Sequence, residues 1–419
     1  MDRRSFCAVT GVALSAGCLQ LQEAETGDGS GDETEDEPPA ETAPSEGVQS
    51  VTLTEAFTLE DRLRATFSHE GSFWGFVDHR LQAVGPDGTL EWESDSVGDD
   101  VSLVPSTLLA GSEVGGSCVA FSPDRVFAGG LEGGVDTGRD ERATLYAFDR
   151  ETGTLEWEDA VERPPEYVRP LSATTVADVV VAAIDVGSGS DDEPWVLRAL
   201  EVDTGESRWE ESLEDVRIQH ILAHDETLFV STDDGLLEFD PESGSQTGTV
   251  DVTALPPHAS PTDDVLCCAT LAGIERVDLA TGEIEWIEDR ERPIGSLAAD
   301  DASVYGIDHA GYVTALDRGT GEQRWESRLP IENVRNGGFV SSGDVLWASG
   351  NDGSLYGLAA ADGELLYDES HHDYGFHLGA IDDVLLTSSS ERGFVTVVTF
   401  GSNQQSSVAS RNPKSSFKL

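Results

Sequence analysis

Short apolar stretches separated by polar turns recur between residues 48 and 400. In the segment 293–329 the runs IGSLAAD, SVYGID, GYVTALD and EQRWESR are separated by Asp-Asp, His-Ala-Gly and Gly-Thr-Gly. Short runs with a period of two are typical of β-strands, and junctions rich in Asp and Gly favour tight turns. Helical spacing is absent. The pattern therefore predicts an all-β protein made of four-stranded antiparallel units.

One phrase repeats within this pattern, a Thr-Gly or Asp-Gly step followed four residues later by an aromatic side chain. The glycines lie at positions 88, 153, 205, 244, 282, 321 and 363, and the weakest copy is ESGSQTG around Gly244. A spacing near 40 residues, with insertions, is the length of one propeller blade. We expect the glycine to supply a positive φ in the last hairpin and the aromatic ring to fill the wedge between neighbouring sheets.

The two ends of the repeat region predict how the ring closes. After the seventh copy, 375–400 holds three strand candidates, and VQSVTLTEAF at 48–57 is an unpaired alternating strand. A propeller must protect its sheet edges, so the N-terminal strand should complete the last sheet. The sequence therefore predicts an eight-bladed β-propeller of four-stranded blades over 48–400, with seven blades as the alternative. A disordered polar tail is expected at 401–419.

The first 47 residues are predicted to consist of an export signal followed by a tether. Residues 1–18, MDRRSFCAVTGVALSAGC, are too short to span a bilayer as a helix. Arg3, Arg4 and Phe6 resemble a twin-arginine export signal, and the end of this segment resembles a lipobox that would make Cys18 the lipidated N-terminus, although Ser15 stands where a large aliphatic residue is usual. Residues 19–47 are acidic and nearly free of large apolar side chains, which predicts a disordered tether.

The net charge of the chain limits the classes of partner that it can bind. The chain has 81 acidic and 25 basic residues, a formal net charge of −56, and its lysines are Lys414 and Lys418. Nucleic acid is excluded as a partner because no basic stripe can displace phosphate counterions. The acidic, lysine-poor composition resembles that of proteins from extremely halophilic archaea, in which molar salt screens self-repulsion. An acidic protein from a GC-rich organism is the alternative.

The repeat also carries a family resemblance. Ala147, Gly153 and Trp157 fit the pattern A-x5-G-x3-W. The further matching residues are Ala199, Gly205, Trp209, Gly282, Trp286, Ala315, Gly321 and Trp325. This pattern is similar to the tryptophan-docking motif of quinoprotein alcohol dehydrogenase-like propellers, the PQQ-like repeat family. The departures are Gln82 and Arg276 at the Ala position, Gly248 and Tyr367 at the Trp position, and Gly357 at an Ala position.

That resemblance raises the question of a quinone cofactor, pyrroloquinoline quinone (PQQ), with calcium. The dehydrogenases place a calcium ion, a catalytic Asp and a disulfide between adjacent cysteines around the quinone. Cys267 and Cys268 are adjacent here, but on a strand they should point to opposite faces and pack as small apolar side chains. No catalytic or cofactor-binding residue is therefore assigned, and PQQ and calcium remain open.

Two groups of residues contain side chains of the types that bind metal ions. The group His371, His372, Asp373 and His377 lies in a connection between blades, which favours a solvated loop over a metal site. Acidic turns could hold calcium but lack the EF-hand spacing. These turns are Asp233-Asp234-Gly235, Asn351-Asp352-Gly353 and Ser190-Asp191-Asp192-Glu193. No metal ligand is assigned.

The sequence thus favours a non-catalytic lipoprotein scaffold for an unidentified extracytoplasmic protein or small ligand. It should be monomeric and anchored at the cell surface, on the outer face of the cytoplasmic membrane, through Cys18. The alternative is an extracytoplasmic quinoprotein-type, PQQ-dependent oxidoreductase. A carbohydrate-binding propeller would need exposed aromatic rings, for which Trp74, Trp195 and Trp347 lie outside the docking repeat.

If Cys18 carries the lipid, Cys18→Ala should move the protein from the membrane fraction to the soluble fraction, because a lipid chain supplies its membrane affinity. Fractionation of producing cells followed by immunoblotting measures this. Cys7→Ala is the matched control and should stay in the membrane fraction. Equal membrane retention of Cys18→Ala and the unsubstituted protein would contradict lipid attachment at this residue.

Overall fold

A computed structural model describes the propeller region with gaps, mostly at connections between strands. All described residues lie in one compact unit, Glu46–Leu419. The described residues are 51–59, 64–77, 79–98, 101–103, 118–132, 142–161, 169–186, 195–214, 216–232, 235–250, 252, 265–269, 273–290, 292–331, 338–350, 353–369, 378–381, 384–388 and 395–402. The predicted signal segment, tether and nearly all of the predicted tail lie outside them.

The described chain is built of antiparallel strands, which we group into numbered sheets in chain order. Sheet 1 contains β2 (Arg64–His69), β3 (Ser72–Val77), β4 (Arg80–Val84) and β5 (Leu90–Glu93); sheet 2 contains β6 (Val101–Leu103), β7 (Val119–Phe121), β8 (Arg125–Glu132), β9 (Arg142–Asp149) and β10 (Leu155–Val161); sheet 3 contains β11 (Arg169–Val176), β12 (Val179–Asp185), β13 (Trp195–Glu201) and β14 (Ser207–Leu213). Sheet 4 contains β15 (Ile218–His224), β16 (Thr227–Thr232), β17 (Gly235–Phe239) and β18 (Gln246–Val250); sheet 5 contains β19 (Val265–Ala269), β20 (Gly273–Asp278) and β21 (Ile284–Asp289).

The remaining sheets complete the ring. Sheet 6 contains β22 (Ile294–Ala299), β23 (Ser303–Asp308), β24 (Tyr312–Asp317) and β25 (Gln323–Arg328); sheet 7 contains β26 (Phe339–Ser342), β27 (Val345–Ser349), β28 (Leu355–Ala359) and β29 (Leu365–Glu369). The closing sheet contains β30 (Leu378–Ile381), β31 (Val384–Ser388), β32 (Val395–Ser402) and the N-terminal strand β1 (Val51–Leu59).

Burial follows the position of a strand within its sheet. The second strands, such as β12 and β23, are buried at every residue because both of their faces pack against neighbouring sheets. The last strands, such as β21, alternate half-buried and exposed residues because one face meets solvent. The continuous apolar run and the alternating run of each repeat therefore specify different depths in one sheet.

The prediction of eight four-stranded blades is wrong. In the described residues, seven sheets contain four strands in a hydrogen-bonded row, with β7 as an extra strand on β8, and sheet 5 contains three strands. A first strand of sheet 5 would come from 253–264, which lies outside the described residues. The β-propeller therefore has seven four-stranded blades, and the three-stranded sheet 5 stands between sheets 4 and 6.

The ring closes by pairing the two ends of the propeller region. β1 pairs antiparallel with β32, from Val51 opposite Ser402 to Leu59 opposite Val395, with a register shift between Glu55 and Phe57. This confirms the prediction that the N-terminal strand completes the sheet formed by the C-terminal strands. The pairing covers an edge of β32 that would otherwise be unpaired.

The core consists of separate apolar layers between consecutive sheets. One layer joins Phe127 of sheet 2 to Ala182 of sheet 3, and another joins Leu385 of the closing sheet to Trp347 of sheet 7. Phe73 of sheet 1 packs with Leu386 of the closing sheet, so the apolar layers run around the whole ring. Each sheet depends on both of its neighbours for burial.

Removing β1 should destabilise the whole ring. A chain that begins at residue 60 leaves β32 with an unpaired edge, so its urea midpoint should fall and its tendency to aggregate should rise. The matched control is a chain that begins at Glu46 and keeps β1. Chemical unfolding followed by circular dichroism measures both chains. Identical midpoints would show that the closing pair contributes nothing to stability.

Candidate functional site

The hairpin before each outer strand has one recurring geometry. Gly153, Gly282 and Gly321 have φ values of +74°, +70° and +73°, and each donates its N–H to the carbonyl of the residue four positions earlier, at 2.8–2.9 Å. A side chain at these positions would be strained because left-handed backbone favours glycine. The Thr-Gly step of the repeat thus specifies the turn.

An aspartate stabilises four of these turns. Asp149 Oδ1 accepts hydrogen bonds from the Thr152 N–H and hydroxyl, both at 2.7 Å. Asp240, Asp278 and Asp317 make the same contacts with Ser243, Thr281 and Thr320. The Arg324 guanidinium and the Thr320 turn hold the pKa of Asp317 at about 2, and turn hydrogen bonds lower the pKa values of Asp149, Asp240 and Asp278.

The repeated tryptophans lie on the turn of the next sheet. A Cβ added to Gly205 would lie 2.7 Å from Trp157 Cδ2, and the indole Nε1 of Trp157 donates to Val202 O at 3.1 Å. Trp209, Trp286 and Trp325 meet Gly244, Gly321 and Gly363 in the same way and donate to Pro241 O, Arg318 O and Ala360 O. Within each sheet, Ala147, Ala199 and Ala315 lie opposite Trp157, Trp209 and Trp325. The small residue leaves room for the ring, and the glycine of the next sheet receives it.

The first copy departs from this arrangement. The sequence placed Gln82 at the Ala position, but Ala83 lies opposite Trp92 because the hairpin between β4 and β5 is one residue shorter, with Gly88 N–H bonded to Gly85 O. Trp92 packs against Trp74, with 5.2 Å between the ring centroids, instead of packing on a glycine. Here Gly153 meets the backbone, and its carbonyl accepts a 2.7 Å hydrogen bond from Asp95 N–H.

Two further copies keep the fit of small against large with other residues. In sheet 4, Glu238 lies opposite Gly248, and its Oε2 would lie 2.3 Å from a Cβ at that glycine. In sheet 7, Gly357 lies opposite Tyr367, and a Cβ there would lie 3.0 Å from the Trp347 ring. In sheet 4 the large side chain of the pair therefore lies on β17 instead of on the outermost strand, whereas sheet 7 keeps it on the outermost strand.

Arginines connect sheets where carboxylates face them. Arg198 of sheet 3 binds both oxygens of Asp159 in sheet 2, at 2.8 and 3.0 Å, and binds Glu210 of its own sheet at 2.8 Å. Arg276, which replaces the motif alanine opposite Trp286, donates to Gly319 O of sheet 6 at 3.2 Å. Most of these guanidinium groups are used within the ring, where planar forked donors match carboxylate oxygens.

The adjacent cysteines face different layers. Cys267 packs between sheets 5 and 6, whereas Cys268 packs between sheets 4 and 5, and both are free thiols. Burial raises the pKa of Cys267 to about 11 and that of Cys268 further, so both stay protonated at neutral pH. These residues do not fit the adjacent-cysteine disulfide of the quinone enzymes, because their side chains point to opposite faces of β19.

The structure also bears on the candidate sugar-binding tryptophans and the candidate metal ligands. Trp74 and Trp347 are buried, and Trp195 is half-buried against the layer between sheets 3 and 4, so these rings offer little surface to a sugar. In the described part of the chain, no group of three or more His, Cys, Asp or Glu residues could hold a metal ion. Arg3, Arg4, Phe6, Cys18, the His371–His377 group and the acidic residues of the three calcium-type turns lie outside the described residues.

Sequence reasoning missed an aromatic group at the boundary of sheets 1 and 2. The His69 ring stacks on Phe121 with a centroid distance of 3.9 Å, and Trp74 meets the same ring edge-on at 4.9 Å. Burial lowers the pKa of His69, with Glu70 opposing and Arg150 adding to the shift. Aromatic residues on adjacent strands were visible in the sequence, but their partner Phe121 follows a long insertion.

The candidate interaction surface is the outer perimeter, which we define as the outermost strands β1, β5, β10, β14, β18, β21, β25 and β29. Leu90, Ile287 and Leu365 are exposed by 56%, 51% and 44%, and each lies on one of these strands. Each outermost strand also has one edge that pairs with no other described strand. Exposed apolar side chains and open edges are features that protein partners use.

The chain matches a known protein family by sequence. A family model described as outer membrane protein assembly factor BamB matches residues 77–327 and 309–372. No curated protein sequence matches the chain. In the described residues, no helix has the length and apolar character to cross a bilayer.

Three solved structures resemble the chain in fold. BamB from Moraxella catarrhalis has a TM-score of 0.57 and 20% identity, covering 83% of this chain and 98% of that one. The computationally designed Ika8 protein has a TM-score of 0.57 and 14% identity, covering 82% and 98%. The quinohemoprotein alcohol dehydrogenase ADHIIG from Pseudomonas putida HK5 has a TM-score of 0.55 and 13% identity, covering 87% and 78%. At these identities the likeness concerns the fold alone.

Trp325→Ala should destabilise the protein by roughly 3–5 kcal/mol, because it removes a packed ring and its hydrogen bond to the next sheet. Urea unfolding monitored by circular dichroism measures the loss. Leu365→Ala, at an exposed position of the neighbouring outer strand, is the control and should change stability by less than about 0.5 kcal/mol. Equal losses for the two variants would contradict the role of the docked ring.

The turn carboxylates should make stability depend on acid. A carboxyl whose pKa is lowered on folding stabilises the protein above its unfolded pKa, and this contribution is lost as pH falls through the folded pKa. For Asp317 the window runs from about 4 down to about 2. Thermal unfolding of Asp317→Asn should therefore lose less stability across this window than the unsubstituted protein. Parallel curves would contradict the assignment, and Asp301→Asn serves as the control.

Proposed function

The chain belongs to the family described as outer membrane protein assembly factor BamB, and on that premise we propose that it is a non-catalytic protein-interaction scaffold held outside the membrane. The observation that carries the proposal is the use of the repeated side chains. Docked tryptophans fix one sheet to the next and capping aspartates stabilise the turns within each sheet, so the repeat builds a rigid ring. Rigid rings present their strands and loops to partners at little entropic cost.

The surface of the ring supports the same proposal. Leu90, Ile287 and Leu365 are exposed on a perimeter that is otherwise rich in carboxylates. The family description refers to an assembly factor, and the match to the BamB structure covers 83% of this chain and 98% of that chain. We propose that the perimeter contacts a partner protein, with Cys18 as the lipid anchor and the acidic segment 19–47 as the tether.

A quinoprotein-type oxidoreductase is the second candidate. The structural likeness to ADHIIG favours it at the level of fold, and the adjacent Cys267 and Cys268 favour it at the level of sequence. Its weakness lies in the geometry, because each thiol is buried in a different layer. The scaffold proposal explains the positions of more of the described residues than the oxidoreductase proposal does.

Photo-crosslinking on intact producing cells tests the scaffold. A photoreactive amino acid replaces Leu90, Ile287 or Leu365 in three separate variants, and buried Leu346 is the control position. We expect a discrete covalent adduct with another protein from at least one perimeter position and none from Leu346. Adducts from no perimeter position would contradict the proposal.

A titration of the purified chain separates the two candidates. PQQ and Ca²⁺ are added in about 1 M KCl, where the Debye length is near 3 Å, and binding is followed by calorimetry and absorbance. The scaffold predicts no stoichiometric binding. Stoichiometric quinone binding by folded protein would favour the oxidoreductase.

A further inference from the structure

Charge distinguishes one outer strand from all others in the described ring. Seven of the outermost strands carry at least one carboxylate, namely Glu55 in β1, Glu91 and Glu93 in β5, Glu156, Glu158 and Asp159 in β10, Glu210 and Glu211 in β14, Glu285, Glu288 and Asp289 in β21, Glu326 in β25, and Asp368 and Glu369 in β29. The remaining strand, β18, reads QTGTV and has no ionisable side chain. Charged side chains on edge strands prevent pairing with other chains. β18 therefore lacks the protection that the other outermost strands have in the described residues.

The same strand has lost its docking tryptophan. Gly248 stands at the Trp position, and the side chain of Glu238 from β17 covers it on the sheet face. Consequently Gly282 of sheet 5 meets Val250 and Glu238 instead of an indole ring, at 3.2 and 3.4 Å from the position of an added Cβ. The loss of the tryptophan from the sheet face and the loss of charged side chains from the edge therefore both occur in β18, Gln246–Val250.

The outer edge of β18 has no partner strand among the described residues. Gln246, Thr247 and Thr249 are exposed, and among the described strands β18 pairs with β17 alone. The Gly248 carbonyl accepts a hydrogen bond from the Gln246 side-chain amide at 3.2 Å, and this amide also contacts Thr249 Oγ1 at 2.9 Å.

The surroundings define the chemistry of the occupant. The outer strands on either side, β14 and β21, carry Glu210, Glu211, Glu285, Glu288 and Asp289, and the whole chain has a net charge of −56. A segment that pairs with β18 would therefore lie beside two acidic strands, and Glu242 is exposed in the turn that precedes β18. Basic residues at the ends of that segment would complement these carboxylates and leave the centre that pairs with β18 uncharged.

We infer that the β18 edge, Gln246–Val250, is a docking site for an extended segment of a partner protein, uncharged at its centre and basic at its ends, which adds a strand to sheet 4. Main-chain hydrogen bonds would supply affinity, and the flanking carboxylates would select the partner. The inference rests on the proposed scaffold function and specifies where and how the partner binds.

The test uses a defined peptide and the purified full chain. The probe is fluorescein-labelled Arg-Thr-Val-Thr-Val-Thr-Arg, titrated by fluorescence anisotropy in about 1 M KCl to screen long-range attraction. A second probe has the same sequence with alternate amides N-methylated, which removes main-chain donors and keeps the charge. We expect saturable binding of the first probe and at least about tenfold weaker binding of the second.

Paired substitutions locate the site. Thr247→Glu with Thr249→Glu gives β18 the charge of the other outer strands and should weaken binding of the first probe at least about tenfold. Ser207→Glu with Ser212→Glu adds the same charge to exposed positions of β14 and should leave binding unchanged. Circular dichroism checks that both variants fold.

Each contrary outcome overturns the inference. No saturable binding by folded protein, equal binding of the N-methylated probe, or equal binding by the β18 variant would each do so. The scaffold proposal is judged separately by crosslinking on cells from positions outside β18. If crosslinking gives a perimeter adduct but the β18 substitutions do not change peptide binding, the scaffold proposal is supported and the β18 docking site is refuted.

Discussion

The contact of an indole ring with a glycine of the next sheet is the interaction on which the ring depends. It needs a glycine for two reasons at once, because the turn has positive φ and because a Cβ would lie about 2.5–2.9 Å from ring atoms. The indole N–H then bonds a carbonyl of the same turn, at 2.7–3.2 Å in the four docked rings. Packing and hydrogen bonding therefore fix the angle between neighbouring sheets together, and apolar layers fill the space behind.

The boundaries that lack this contact explain the asymmetry of the ring. Trp92 packs against Trp74 of its own sheet, and a main-chain hydrogen bond from Asp95 N–H to Gly153 O joins sheets 1 and 2 instead. At sheet 4 the large and small members of the pair exchange strands, with Glu238 over Gly248. The outer edge of sheet 4 is thereby released from the docking role and free to differ in charge.

Acidity serves several purposes in this fold. Aspartates cap the turns, glutamates line the outer edges, and carboxylates receive arginines that cross sheet boundaries. A net charge of −56 opposes compactness at low salt and protects edges from pairing with other acidic chains. A scaffold of this kind would select partners by charge as well as by shape, which suits a perimeter with a single uncharged strand among those described.

The sequence by itself determined the strand class, the Thr-Gly turns, the family of the repeat and the pairing of β1 with the C-terminal strands. These follow from alternation and turn chemistry, which are local, and from the need of a closed ring to cover its edges. Tertiary structure decided the rest. The sequence overcounted the four-stranded blades because it assigned one blade to each Gly-containing phrase, whereas the sheet that carries the phrase at Gly282 has three strands in the described residues. It placed Gln82 instead of Ala83 at the Ala position facing Trp92 because a one-residue change in a hairpin shifts the register. Which layer receives each thiol of Cys267 and Cys268, and which outer edge lacks charge beside its neighbours, depends on residues brought together from distant parts of the chain, and no local pattern encodes that.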